Sequence, residues 1–229
     1  MLALLTLSLL SSTPCPPGQL LEGGQHTRLV TRSGAVHLWC RAEVRSVVVY
    51  VHGYRDDVDS AFHGHQLAAQ FAQSGVEALF VAVEAPSGPG QEVAFGDLDV
   101  LLEMLSVHVG APLPEAVLVL GHSGGNRTLK TWLGSARVRE VVLLDGFYDD
   151  SAPWTAWLAA RPDARLRMVG QATWEKAEAW RLGLPRRLRG QVTHERAKCP
   201  HMDIVTRGTW LPRVVRESSI ATPEVSASG

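Results

Sequence analysis

The run Ala116-Val117-Leu118-Val119-Leu120 leads without a break into Gly121-His122-Ser123-Gly124-Gly125. A short, wholly apolar run reads as a strand buried on both faces. Gly-x-Ser-x-Gly directly behind such a strand reads as a nucleophile elbow, a sharp strand-to-helix turn that holds a serine clear of the sheet. Glycines flank the serine because a tight turn with unusual backbone angles leaves little room for side chains. A helix starting straight after the serine aims its free N–H groups at the reaction site. Ser123 is therefore the candidate nucleophile.

Apolar runs and helical stripes alternate on both sides of this turn. The pattern predicts strands at residues 27–31 and 35–41, joined through Ser33-Gly34, and at 46–51, 78–83, 141–144, 166–169 and 191–195. Helical spacing predicts helices at 60–74, 97–109, from 128 onward, and at 154–160, 175–180 and 204–215. Alternation of this kind argues for an α/β fold, a mostly parallel central sheet with helices on both faces in three layers.

The 229 residues fit one core, and 45% hydrophobic with 20% charged residues suits a globular chain rather than a disordered one. A formal net charge of -1 gives no reason to expect nucleic acid or an acidic membrane surface as partner. The apolar stretch at residues 2–10 has the length of a signal-peptide core and is too short to span a bilayer. It lacks a basic flank, so the alternative is a cytoplasmic protein. The expected organisation is a signal peptide or disordered segment over residues 1–18, one domain over 19–216 and a flexible tail over 217–229. Export to the periplasm or medium is the expectation for localisation. Cys15 stands near the end of that leader, but Pro14 before it fits a lipobox badly. Cys40 and Cys199 either pair with each other or remain free thiols. Oligomeric state is not legible.

A serine needs a base within reach and an acid to orient that base. Behind an elbow of this kind the chain order is serine, acid, histidine. The groups sit on loops at the carboxyl ends of parallel strands. His194 and His201 lie far enough downstream to serve as base. His194 falls inside the last expected strand, whereas His201 follows it, so His201 is preferred. For the acid, Asp145 closes the apolar run VVLL. Glu175 follows the next strand and is the alternative, and Asp149 and Asp150 lie in the loop between. The oxyanion hole needs two backbone donors. Gly124, after the nucleophile, supplies one, and Tyr54, in His52-Gly53-Tyr54 behind SVVVYV, supplies the other. Asp56, Asp57 and Asp59 lack calcium-loop spacing and read as a solvated loop. His122 is expected to pack locally. No Cys/His zinc spacing appears, so no metal is expected.

VYVHGY, VLVLGHSGG, VVLLDG and CPHMDIV together resemble the α/β-hydrolase superfamily, over nearly the whole of residues 29–215. The chain also resembles a compact bacterial branch in which the histidine precedes a Met-acidic-apolar stretch. The resemblance implies a Ser123–His201–Asp145 triad, an oxyanion hole at Tyr54 and Gly124, and no cofactor. Residues 146–165 are too few for a helical cap, which implies an open site, with Trp154 and Trp157 as partial cover or as core.

The expected function is hydrolysis of a small-molecule carboxylic ester through an acyl-serine intermediate. An amidase or acyltransferase would use the same residues. A binding protein that kept the fold and lost turnover is the alternative from another class.

Overall fold

Valine, leucine and isoleucine crowd the strands of this chain, where branched side chains pack well on a pleated surface. The computed structural model describes residues 13–148 and 150–221. The apolar stretch at residues 2–10, Asp149 and the tail end at 222–229 lie outside the described residues. The strands are β1 (Thr13–Pro14), β2 (Gln19–Leu21), β3 (Gly24–Thr31), β4 (Gly34–Cys40), β5 (Glu43–Val44), β6 (Val47–Val51), β7 (Leu79–Val83), β8 (Val117–His122), β9 (Val138–Leu144), β10 (Arg165–Gly170) and β11 (Val192–Arg196). The helices are α1 (Val58–Gly64), α2 (Leu67–Ser74), α3 (Leu98–Val109), α4 (Asn126–Trp132), α5 (Ala152–Ala160), α6 (Trp174–Gly183), α7 (Arg186–Arg189), α8 (Asp203–Thr206) and α9 (Trp210–Arg216).

Among the described residues, nine strands form one sheet in the order β11-β10-β9-β8-β6-β7-β4-β3-β2. Strands β11 through β7 in that order are parallel, and β4, β3 and β2 are antiparallel additions at one edge. Alternate residues face opposite sides of a strand. Val47, Val49 and Val51 of β6 therefore join Val117 and Val119 of β8 in one core, with side chains of α3, α4 and α5. Val48 and Tyr50 join Leu118 and Leu120 in the other, with side chains of α1, α2, α8 and α9. The result is three layers, a sheet between two helical faces. Each fully buried Val or Leu contributes about 1.5–3 kcal/mol.

Several expectations are corrected. The helix expected over 60–74 is two helices, broken where Gln66 takes a left-handed backbone with φ 53. The one expected over 204–215 is broken at Gly208, φ 69. Residues 13–18, assigned to a leader or disordered segment, pack on the domain. β1 pairs with β5, and Cys15 forms a disulfide with Cys40. Cys199 is the free thiol, so the Cys40–Cys199 pairing is not made. The tail is anchored as far as it is described: Ser219 N donates to Glu140 at 2.8 Å and Glu217 pairs with Arg167 at 2.6 Å. Asp56, Asp57 and Asp59 are not merely solvated. Asp57 caps α1, Asp59 binds Arg28 and His37, and Asp56 lies 3.3 Å from His65. No helix among the described residues is long and apolar enough to cross a membrane.

Candidate active site

Five adjacent parallel strands, β11, β10, β9, β8 and β6, bring their carboxyl ends to one rim of the sheet. Each of them delivers a part of the site. β8 ends at His122, and Ser123 follows in a left-handed backbone, φ 49, which a side chain adopts only when the surroundings enforce it. Two close approaches enforce it. A Cβ on Gly125 would lie 2.8 Å from the Val51 and His52 carbonyl oxygens, and one on Gly53 would lie 2.9 Å from Ser123 Cβ. Only glycines let the ends of β6 and β8 come this close. The Asn126 side chain then donates to the Ser123 carbonyl at 2.9 Å and braces the turn into α4.

β9 ends in Asp145, which also takes a left-handed backbone, φ 48, and is fully buried. Its carboxylate is wrapped in donors from the loop after β10. Gln171 N and Thr173 N reach Oδ1 at 2.9 Å, Ala172 N reaches Oδ2 at 3.1 Å and the Thr173 hydroxyl reaches Oδ1 at 2.8 Å. His201 Nδ1 donates to Oδ2 at 2.7 Å. Burial pushes the Asp145 carboxyl up, but these hydrogen bonds outweigh it and hold the group well below the usual carboxylate range. A histidine donating from Nδ1 is left with Nε2 as its acceptor, the arrangement a base needs.

His201 stands in the turn between β11 and α8, partly exposed. Its ring lies 4.6 Å from that of His122, whose imidazole is buried and pushed down to about 3, first by that burial and then by the nearby His201 and His65. His122 is thus a neutral packing partner. On the other side, the Tyr148 hydroxyl meets the Ser123 hydroxyl, and the Tyr148 ring stands edge-on to His201 with centroids 6.4 Å apart. Burial, with the Asp145 charge, raises the Tyr148 phenol above its ordinary value, while the Ser123 contact opposes the shift. No hydrogen bond joins Ser123 to His201 here. Such bonds often tighten only when substrate is bound.

The remaining candidates fall into place around this pair. The His52 ring is buried, donates from Nδ1 to the Gly53 carbonyl at 2.8 Å, and sets Nε2 2.9 Å from Glu84 Oε1. In a trans peptide the C=O and the following N–H point opposite ways. Holding the Gly53 carbonyl therefore turns the Tyr54 N–H away from His52. The Tyr54 ring lies flush on Gly124 Cα. Arg127 donates to the Tyr54 hydroxyl at 3.3 Å and to the carbonyls of Pro89 and Gln91 at 2.8 and 3.0 Å. Glu175 is exposed in the first turn of α6 and takes no part in the His201 bond. His194 is held elsewhere, stacked on Trp174 at 4.1 Å and bonded to Glu178 at 2.9 Å. Asp150 caps Ala152 at 2.9 Å. Trp154 and Trp157 are buried in the core and cover nothing. Sequence reasoning missed Tyr148, Arg127 and Glu84. Only their nearness to the motifs could have flagged them.

Among the described residues, no group of three or more side chains is suited to hold a metal ion. No family model matches the chain, and no curated protein matches it by sequence. Solved structures do resemble it. The enterochelin esterase of Shigella flexneri superposes with a TM-score of 0.57 at 16% identity, over 85% of this chain and 57% of that one. The chain therefore spans little more than half the length of that relative. A ferulic acid esterase gives 0.59 at 12% identity, over 84% of this chain and 98% of its own. A fluorophosphonate-binding serine hydrolase of Staphylococcus aureus gives 0.54 at 13% identity, over 87% and 97%. What is shared at such identities is architecture: the chain has the three-layer α/β-hydrolase fold.

Proposed function

We propose that this protein is a serine hydrolase that cleaves a small-molecule carboxylic ester through an acyl-serine intermediate. The observation that carries the reading is the 2.7 Å bond from His201 to a buried, ionised Asp145, on the same sheet rim as the Ser123 elbow. A surface-loop histidine has no need of a carboxylate held by four further donors. The structural neighbours, two esterases and a serine hydrolase, agree with it.

In this reading each group has one role. Ser123 Oγ attacks the ester carbonyl carbon while His201 Nε2 takes the hydroxyl proton. Asp145 fixes the imidazole tautomer and stabilises the imidazolium. The carbonyl oxygen becomes an oxyanion between the Gly124 and Tyr54 N–H groups. The tetrahedral intermediate expels the alcohol, which takes the proton from His201. Water, deprotonated by the same nitrogen, then frees the acid from Ser123. An amidase or acyltransferase would differ only in leaving group or acceptor. An uncapped, open site belongs to the proposal, since α5 alone separates β9 from β10. So does export, because a Cys15–Cys40 disulfide suits an oxidising compartment and leaves no thiol on Cys15 for lipid attachment.

The test is turnover of p-nitrophenyl esters of increasing chain length. The wild type should hydrolyse the short esters, and Ser123→Ala should lose at least about 10³-fold in kcat. Equal residual rates in both proteins would point to a binding protein on a hydrolase fold.

A further inference from the structure

His201 forms one wall of an open groove of about 670 Å³, whose other walls include Gln171, Arg196, Lys198 and Pro200. Two of these side chains are cations, both exposed. Neither makes an ion pair with a carboxylate among the described residues. The acidic residues that flank them in sequence are already engaged: Glu195 with Arg213 at 2.5 Å and Asp203 with Arg207 at 2.6 Å. Two cations against the single buried charge of Asp145, behind His201 and Gln171, leave the groove beside His201 positive.

Arg196 is also held in place. Its guanidinium sits 5.7 Å from the Trp174 ring centroid, and Trp174 is stacked at 4.1 Å on His194, itself bonded to Glu178. A guanidinium over an aromatic face keeps its N–H edge free for an anion and gives up little rotamer freedom when it binds one.

The position of the groove says which half of the substrate it meets. The base that returns a proton to the leaving oxygen must face that oxygen. The acyl half is committed to Ser123, Gly124 and Tyr54. The groove's lining includes His201 but none of Ser123, Gly124 and Tyr54, so it adjoins the reacting centre through the histidine alone, and the departing alcohol is the half assigned to it. Resting on the hydrolase reading above, we propose that the preferred substrates are esters whose alcohol part carries an anionic group, a carboxylate or a phosphate, bound between Arg196 and Lys198.

The experiment compares acetyl esters with matched leaving groups: 4-acetoxybenzoate, 4-acetoxyphenyl phosphate and the neutral 4-acetoxybenzamide. The wild type should favour the anionic esters by about 10-fold in kcat/KM at low salt, and the preference should shrink as ionic strength rises. The anion favoured more strongly names the group. In Arg196→Gln with Lys198→Gln the anionic-to-neutral ratio should fall several-fold, whereas Arg196→Lys, which keeps the charge, should retain most of it. Taking ratios between proteins cancels the intrinsic lability of each ester and any common loss from misfolding. Cleavage of the neutral ester with a ratio that is the same in wild type and double variant would overturn this proposal and leave the hydrolase reading standing. Failure to cleave any ester would bring down both.

Discussion

Asp145 is the residue on which the site turns. Five hydrogen bonds converge on its two oxygens, and only an ionised carboxylate accepts them all. Asparagine there would turn an NH2 group toward a donor and would favour the wrong His201 tautomer. Asp145→Asn should therefore lower kcat by about 10⁴-fold. Exposed Glu175→Gln should stay near wild type. Steady-state kinetics on p-nitrophenyl acetate, with melting curves to check folding, decides between them, and damage from the Glu175 change alone would reassign the acid. The place of Asp145 at the sheet rim, bonded to His201, was legible because it follows an apolar strand next to the elbow strand. His201 was legible by the same logic at the end of β11. Tyr148 and Arg127 were not, because their contacts depend on where two irregular loops happen to fall, and no periodicity records that.

Elements were legible to the extent that their cause is local. Buried strands announce themselves as runs of branched residues, and α3 shows its stripe of Leu98, Leu101, Leu102 and Leu105, all buried. The break between α1 and α2 was hidden, since Gln66 is not a residue expected to turn left-handed, whereas the one between α8 and α9 was marked by Gly208, which the apolar spacing on either side masked. The N-terminal segment is tied down by cross-linking rather than by pattern. Cys15 and Cys40 lie 25 residues apart and join the segment ahead of β2 to the end of β4. Closing a loop of that length removes denatured-state entropy worth about 3.5 kcal/mol. Replacing both cysteines by serine should lower unfolding free energy by about that amount in denaturant titrations. An unchanged midpoint would mean the bond contributes nothing.

At the scale of the whole molecule, folding keeps several histidines neutral. His26 is pushed down to about 4, by burial first and then by His37 and His63, and His122 to about 3. An unfolded histidine titrates near 6.5, so below that pH the unfolded chain binds protons that the folded chain refuses. Their contribution is complete above about 6.5 and is lost as pH falls toward about 4. Asp145, with its depressed value, adds its own loss only below about 4. The melting temperature should accordingly decline between pH 7 and pH 4.5, and His26→Gln should flatten part of that decline. A melting temperature constant over that range would show that these rings do not titrate as their surroundings imply. None of this was visible in the sequence, where nine histidines form no pattern.

Central to the proposed function is the activation of Ser123 by a rim assembled from distant strand ends. The most direct measurement is reaction of the folded protein with a fluorophosphonate, with the adduct located by mass spectrometry of peptides. The expected result is one adduct per chain on Ser123, absent in Ser123→Ala and much slower to form in His201→Ala. A folded wild type that takes up no adduct, or carries it on another residue, would contradict the account.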